Sequence, residues 1–217
     1  MKSGIKHVTL KTQQLNMDPF VYGEHVNVLT HPSEVLFFPD FFPKDNSDNY
    51  LDTLTKEVQW KQEPIKMFGK TVMQPRLTAF YGGPEITYTY SGLTMQATMW
   101  TAALKEIKQK VEEKCNAPFN ACLLNYYRDE KDSMGWHRDN ERELGEYPVI
   151  ASVSFGAQRI FQFRNYKEKL PVISVELEHG SLLLMRGDTQ RIWEHRLPKL
   201  ARPAAPRINL TFRYIHI

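Results

Sequence analysis

Two periods of apolar residues divide the chain near Asn116. Before it, Trp100, Leu104, Ile107 and Val111 recur at intervals of four, three and four, with Lys and Glu between them. That spacing forms one face of an α-helix, expected to end near Cys115. An earlier helix carries Leu51, Leu54 and Val58 on one face, with Asp45 or Ser47 placed to cap it. Upstream, VLFFPDFFP (Val35 to Pro43) is dense in aromatics and broken by prolines, which predicts a short buried strand and a turn. Between the helices, MFGK, PRLTAFYGG and ITYTYSG read as hairpins with glycine turns. After Asn116 the period falls to two. CLLNYY, IASVSF, RIFQF, SLLLM and RINLTFRYI are short runs of β-branched, aromatic and aliphatic residues, separated by Gly, Pro, Asp and Asn. Many short strands following a pair of helices predict an α+β fold, a β-sandwich or jelly roll with helices packed on one face. The first ~30 residues show no clear period, so 1–30 is expected to be a loosely docked arm and 31–217 a single domain.

At 217 residues the chain can bury a sizeable core without disulfide staples. Cys115 and Cys122 are too few for a disulfide framework, and each is expected as a buried or free thiol in a reducing compartment. The start, MKSGIKHVTLKTQQL, lacks the apolar core of a signal peptide, and no later window approaches the ~18 apolar residues of a membrane span. These features predict an intracellular, soluble protein with no membrane partner. A net charge of +3 permits a polyanionic partner without demanding one.

Candidate chemistry begins at GWHRD, where His137 and Asp139 stand two apart. In an extended segment such residues face the same way and could share an ion. Alone the pair is weak, because a hydrated turn would look the same. A third ligand is available in His195, within WEHRLP; His179, within EHG, competes for the role but precedes Gly180 and is expected in a turn. Two histidines and one carboxylate leave about three positions of an octahedral ion open, which suits Fe(II) oxygenase chemistry better than a closed zinc site. In RINLTFR, alternation puts Arg207, Asn209, Thr211 and Arg213 on one face and Ile208, Leu210 and Phe212 on the other. Two arginines on one side of a core strand need anionic partners, either a small dicarboxylate or Asp and Glu from neighbouring strands. Asn125 and Tyr127, in LNYYRD, repeat the pattern on another strand.

The segment NYYRDEKDSMGWHRDNERELGEYPVIASVSFGAQRIFQFR, followed by HGSLLLM, WEHRLP and PRINLTFR, resembles the AlkB family of Fe(II)- and 2-oxoglutarate-dependent dioxygenases, especially its nucleic-acid repair demethylases. The resemblance runs from about Val35 to the C-terminus. It implies a double-stranded β-helix with its catalytic core over 120–217 and a lid of nucleotide-recognition hairpins over 65–93. It implies iron held by His137, Asp139 and His195, 2-oxoglutarate chelating that iron, and O₂ as co-substrate. Arg213 is then expected on the distal carboxylate of 2-oxoglutarate and Arg207 near its iron-bound end, with Asn125, Tyr127, Asn209 and Thr211 as hydrogen-bond partners. Tyr88 and Tyr90 match aromatic positions lining the pocket for a flipped base, opposite the ring of His137. Glu141 and Asn140 match positions that read the polar edge of the base, although family members often carry a carboxylate where this chain has Asn140. Arg76 matches a basic position near the pocket, where a solvated surface arginine is the default. Phe68, between Lys66 and Lys70, matches a wedge that fills the gap left by a flipped nucleotide in duplex DNA.

The activity so implied is oxidative demethylation of 1-methyladenine and 3-methylcytosine in single- or double-stranded DNA by a monomer, with succinate, CO₂ and formaldehyde as products. RNA stays open as a substrate, since no residue plainly reads a 2′-hydroxyl. One competing reading is a dioxygenase acting on a protein side chain or small molecule, against which Tyr88, Tyr90, Lys66 and Lys70 argue. Another is a nucleic-acid-binding module without catalysis, which an intact triad opposes.

Overall fold

The computed structural model describes residues 25–29, 32–67, 70–90 and 93–217. The arm expected over 1–30 lies almost wholly outside the described residues, as do Phe68 and the side chains of Tyr88 and Tyr90.

Strands β1 (Val26–Leu29) and β2 (Ser33–Phe38) lead into helix α1 (Lys44–Glu57). Then come β3 (Pro64–Met67), β4 (Lys70–Met73), β5 (Leu77–Gly82), β6 (Thr87–Tyr90), β7 (Leu93–Gln96) and β8 (Thr98–Met99), followed by helix α2 (Ala102–Cys115). The C-terminal half holds β9 (Ala121–Tyr127), β10 (Met134–His137), β11 (Ile150–Gly156), β12 (Arg159–Asn165), β13 (Val172–Leu177) and β14 (Ser181–Gly187). A single helical turn α3 (Thr189–Ile192), β15 (Trp193–Leu197) and β16 (Arg207–Arg213) complete it.

Both predicted helices form, but α1 is not capped as expected. Pro43 occupies its N-cap position with no side-chain hydrogen bond, Asp45 lies inside the first turn, and the Ser47 hydroxyl donates to the Phe42 carbonyl. The Asp45 charge still favours the positive end of the helix. Helix α2 is capped by Thr101, whose hydroxyl accepts from the Leu104 amide, and it ends at Asn116 in a left-handed conformation, φ 49°.

The strands assemble into an eight-stranded sheet, ordered β1-β2-β14-β11-β16-β9-β5-β8, and a four-stranded sheet, ordered β10-β15-β12-β13. The pairs β3-β4 and β6-β7 are separate hairpins, as expected from MFGK and ITYTYSG. PRLTAFYGG is not a hairpin. Leu77–Gly82 runs as one strand antiparallel to β9, and a Cβ on Gly82 would come within 2.9 Å of the Asn120 carbonyl. That glycine serves a close backbone approach and not a turn.

Alternation decides what each face of the large sheet meets. Leu124, Val153, Leu184, Leu210 and Phe212 pack against Tyr50 and Leu54 of α1 and Leu104, Ile107 and Val111 of α2. The opposite face sets Val35, Ile150, Leu183 and Met185 against Phe163, Val175 and Leu177 of the small sheet. The result is the predicted α+β jelly roll, with a two-sheet sandwich whose larger sheet is covered by helices. Among the described residues no helix is long and apolar enough to cross a membrane.

Candidate active site

Strand β10 lies antiparallel to β15 with His137 directly opposite His195. Directly opposed residues share a face, and the two imidazoles meet edge to face with centroids 4.3 Å apart. Asp139, two residues past His137, completes a group whose donor atoms all lie within 4.8 Å of one another and could hold a metal ion. His179, the competing histidine, is elsewhere. It lies in a turn, where its Nδ1 accepts from the Gly156 amide and its Nε2 lies 3.1 Å from Asp48 Oδ1.

The protonation states suit a cation. His137 Nδ1 lies 3.0 Å from the Gly135 carbonyl, a contact only an N–H can make. In the neutral ring the lone pair therefore sits on Nε2, which is 3.8 Å from Asp139 Oδ1. Burial lowers the pKa of His137, and burial together with the neighbouring His137 pushes His195 down to about 3. Both rings are thus neutral ligands at neutral pH. Burial alone would raise the Asp139 carboxyl, but the Arg213 guanidinium and then His137 outweigh it and hold Asp139 below the usual carboxylate range. Asp139 is 2% exposed, yet its Oδ1 has no hydrogen bond among the described residues. A bound cation is the partner that this buried, ionised oxygen lacks. Two imidazoles and a carboxylate on one side of an ion are the donor set of an Fe(II) site with open positions.

The same three residues line a narrow cavity of about 30 Å³ between the sheets. Asn125, Tyr127, Asn209, Thr211 and Arg213 line it too, so the polar faces expected of β9 and β16 both turn toward the candidate metal group. Its wall also includes Leu123, Ser152, Phe161 and Met185, which were not singled out in the sequence. Ser152 was legible, because it alternates with Ala151 and Val153 in IASVSF. It accepts from Asn209 Nδ2 at 2.7 Å, and Asn209 Oδ1 in turn accepts from the Thr211 hydroxyl.

The two arginines stand in the opposite order to that expected. Arg213 is at the metal end, with its Nη2 donating to Asp139 Oδ2 at 2.9 Å. Arg207, six residues earlier and about 20 Å away along the strand, lies at the far end, its guanidinium 5.3 Å from the Tyr127 ring centroid. It is 1% exposed and donates to Ser154 Oγ, and no carboxylate among the described residues pairs with it. Burial pushes its pKa down to about 10. Arg213 thus has a protein carboxylate as partner, Asp139 in the loop after β10, whereas Arg207 is the cation still needing an anion.

Arg76 is no surface residue. It is 3% exposed, and its Nε donates to Asn125 Oδ1 at 2.6 Å, which leaves the Asn125 amide nitrogen as the group able to donate to a co-substrate carboxylate. Gln190, which sequence reasoning missed, accepts the Asp139 amide at 2.9 Å. Glu141 is partly buried and Asn140 exposed, both in the loop after β10 and outside the lining of the narrow cavity.

This donor set, in a jelly roll with a buried cation facing the same cavity, defines the class: the chain belongs to the 2OG-Fe(II) oxygenase superfamily, and within it to the AlkB family. A family model of that superfamily matches residues 34–213. The chain is 43% identical over 199 residues to mouse "Alpha-ketoglutarate-dependent dioxygenase alkB homolog 3", covering 86% of this chain and 68% of the relative. It is 41% identical over 184 residues to human "DNA oxidative demethylase ALKBH2", covering 80% and 70%. A solved structure of OsALKBH1 superposes with a TM-score of 0.63 at 16% identity, over 83% of this chain and 96% of the other, which shows the shared fold. The protein is accordingly a dioxygenase that uses Fe(II), 2-oxoglutarate and O₂.

Proposed function

We propose that this protein demethylates N-alkylated bases in DNA, with 1-methyladenine and 3-methylcytosine as its substrates. The reading is carried by the His137–Asp139–His195 group, with Asp139 and His195 buried, sharing one cavity with polar β16, in a chain over 40% identical to relatives named as DNA oxidative demethylases and AlkB homologues. Iron, with 2-oxoglutarate and O₂, supplies the oxidation of the N-methyl carbon. The hydroxylated methyl group is then lost as formaldehyde, leaving the unmodified base.

The chain's own residues do the rest. His137, Asp139 and His195 hold the iron, and the Gly135 carbonyl fixes the His137 tautomer. Arg213 keeps Asp139 ionised, while Gln190 fixes its backbone. Arg207 binds the carboxylate of 2-oxoglutarate far from the metal, through the two-pronged geometry of a guanidinium. Arg76 and Asn125 support the wall beside it. Leu123, Phe161 and Met185 restrict water near the reacting centre. Tyr88, Tyr90, Glu141 and Asn140 bound the base pocket, and Phe68 fills the vacancy in a duplex. The protein works as a monomer, away from membranes, in the nucleus of a eukaryote or the cytoplasm of a bacterium.

The test offers methylated oligonucleotides as single- and double-stranded DNA and as RNA, with Fe(II), 2-oxoglutarate and ascorbate, and reads the loss of one methylene by mass. Demethylation of DNA supports the reading, and the RNA arm decides the wider substrate range. Succinate release with no oligonucleotide demethylated would favour a protein or small-molecule substrate.

A further inference from the structure

The outer face of the four-stranded sheet, turned away from the cavity, carries a ladder of aromatic rings and cations. Trp136 of β10 has the Arg164 guanidinium 4.1 Å and the Arg196 guanidinium 4.5 Å from its ring. Next to it, where β10 and β12 end, Tyr166 is 40% exposed and has Arg138 at 3.7 Å and Lys169 at 4.5 Å from its ring. Arg164 and Lys169 share one carboxylate, Glu194. Arg138 and Arg196 have none among the described residues; Arg138 reaches the Arg191 carbonyl and Arg196 the Gln162 side chain. Arg138 lies between two of the proposed iron ligands in sequence, so this surface begins at the rim of the candidate active site.

A guanidinium laid on a ring is held flat, and its N–H edge stays free for an anion. Cations so arranged and left without carboxylates suit a ligand with regularly spaced negative charges. We propose that this face is a track for the sugar-phosphate backbone of a single strand that enters the active site, with Arg138 and Arg196 each engaging a phosphate. The proposal rests on the nucleic-acid reading above and adds the route of the strand. The recognition is of charge and spacing, so it is independent of sequence and of methylation.

The test is the affinity of the full-length protein, loaded with Fe(II) and 2-oxoglutarate under argon, for a fluorescein-labelled 20-residue oligothymidylate across a salt series. Arg138→Gln/Arg196→Gln is compared with wild type and with Arg138→Lys/Arg196→Lys. Each phosphate contact to a single strand contributes about 0.7 to the slope of log K against log salt. The Gln variant should therefore lower the slope by about 1.4 and weaken binding on the order of 25-fold at 0.1 M salt. The Lys variant should keep most of the slope. Unchanged slope and affinity in the Gln variant overturn the track. So does a Lys variant that loses as much as the Gln variant, which would trace the loss to packing, and so does polyglutamate of equal charge competing as well as the oligonucleotide. The underlying reading is tested apart from this, by formaldehyde release from a methylated oligonucleotide of the same length. Binding through the face without any release would refute demethylation and leave the track standing.

Discussion

A buried arginine without a carboxylate is costly unless a ligand brings one, and Arg207 is in that position while Arg213 is not. The two therefore have separable consequences. Arg207→Met should raise the KM for 2-oxoglutarate about tenfold or more, equivalent to roughly 1.4 kcal/mol, with a smaller change in kcat. An unchanged KM would remove Arg207 from co-substrate binding. Arg213→Met should act on the metal, because Asp139 loses the guanidinium that keeps it ionised. Its signature is weaker Fe(II) binding at saturating 2-oxoglutarate, and intact metal affinity would contradict it. The sequence showed that both arginines share a face but not which end of β16 meets the metal. That polarity depends on where the β10–β15 pair crosses the large sheet, a tertiary relation that no local spacing encodes. Arg76, expected near the pocket by resemblance alone, could not be placed from local spacing for a related reason. Surface exposure is the default for an arginine, and only the pairing of β5 with β9 buries it against Asn125.

Strands with one face on the helices and one on the cavity were the most legible elements, because a period of two separates the faces residue by residue. Leu210, fully buried in the helix-side core, illustrates the apolar face. Leu210→Ala should cost about 2–5 kcal/mol of stability. Turn chemistry was less legible. Glycines in PRLTAFYGG suggested a hairpin, whereas Gly82 answers a crowding that appears only when β5 lies on β9. The turn from β9 to β10, which sets His137 relative to Tyr127, is closed by Asp132, 4% exposed. It accepts from the Arg128 amide and guanidinium at 2.7–2.9 Å. Burial would raise the Asp132 carboxyl, but the hydrogen bonds from Arg128 outweigh it and hold it below its ordinary value. A carboxylate depressed in the fold stabilises above its unfolded pKa near 3.9 and loses that contribution as pH falls through the folded value. Asp132→Asn should therefore lower stability by about 2 kcal/mol at pH 7, and its deficit against wild type should shrink as pH falls below about 4. A deficit that does not vary with pH would mean that shape, and not charge, closes the turn.

At the scale of the whole molecule, the fold brings β10, β15, β9 and β16 together from separate stretches of the chain, so the candidate site exists only in the folded state. Ligands that bind the native state alone stabilise it, by about 2.7 kcal/mol at a hundred times Kd. For a chain of this size that is roughly 5–10 °C in Tm. Mn(II) with 2-oxoglutarate should give such a shift in wild type and not in His195→Ala, and equal shifts in both would place the metal elsewhere. The most direct test of demethylation at this group counts formaldehyde and succinate together, from a single-stranded oligonucleotide containing 3-methylcytosine, in wild type and in His137→Ala, Asp139→Ala and His195→Ala. The expected result is formaldehyde in proportion to repaired base and accompanied by succinate in wild type, with neither product above background in the three variants. Full demethylation by any one variant, or succinate from wild type without a matching loss of methylated base, would contradict it.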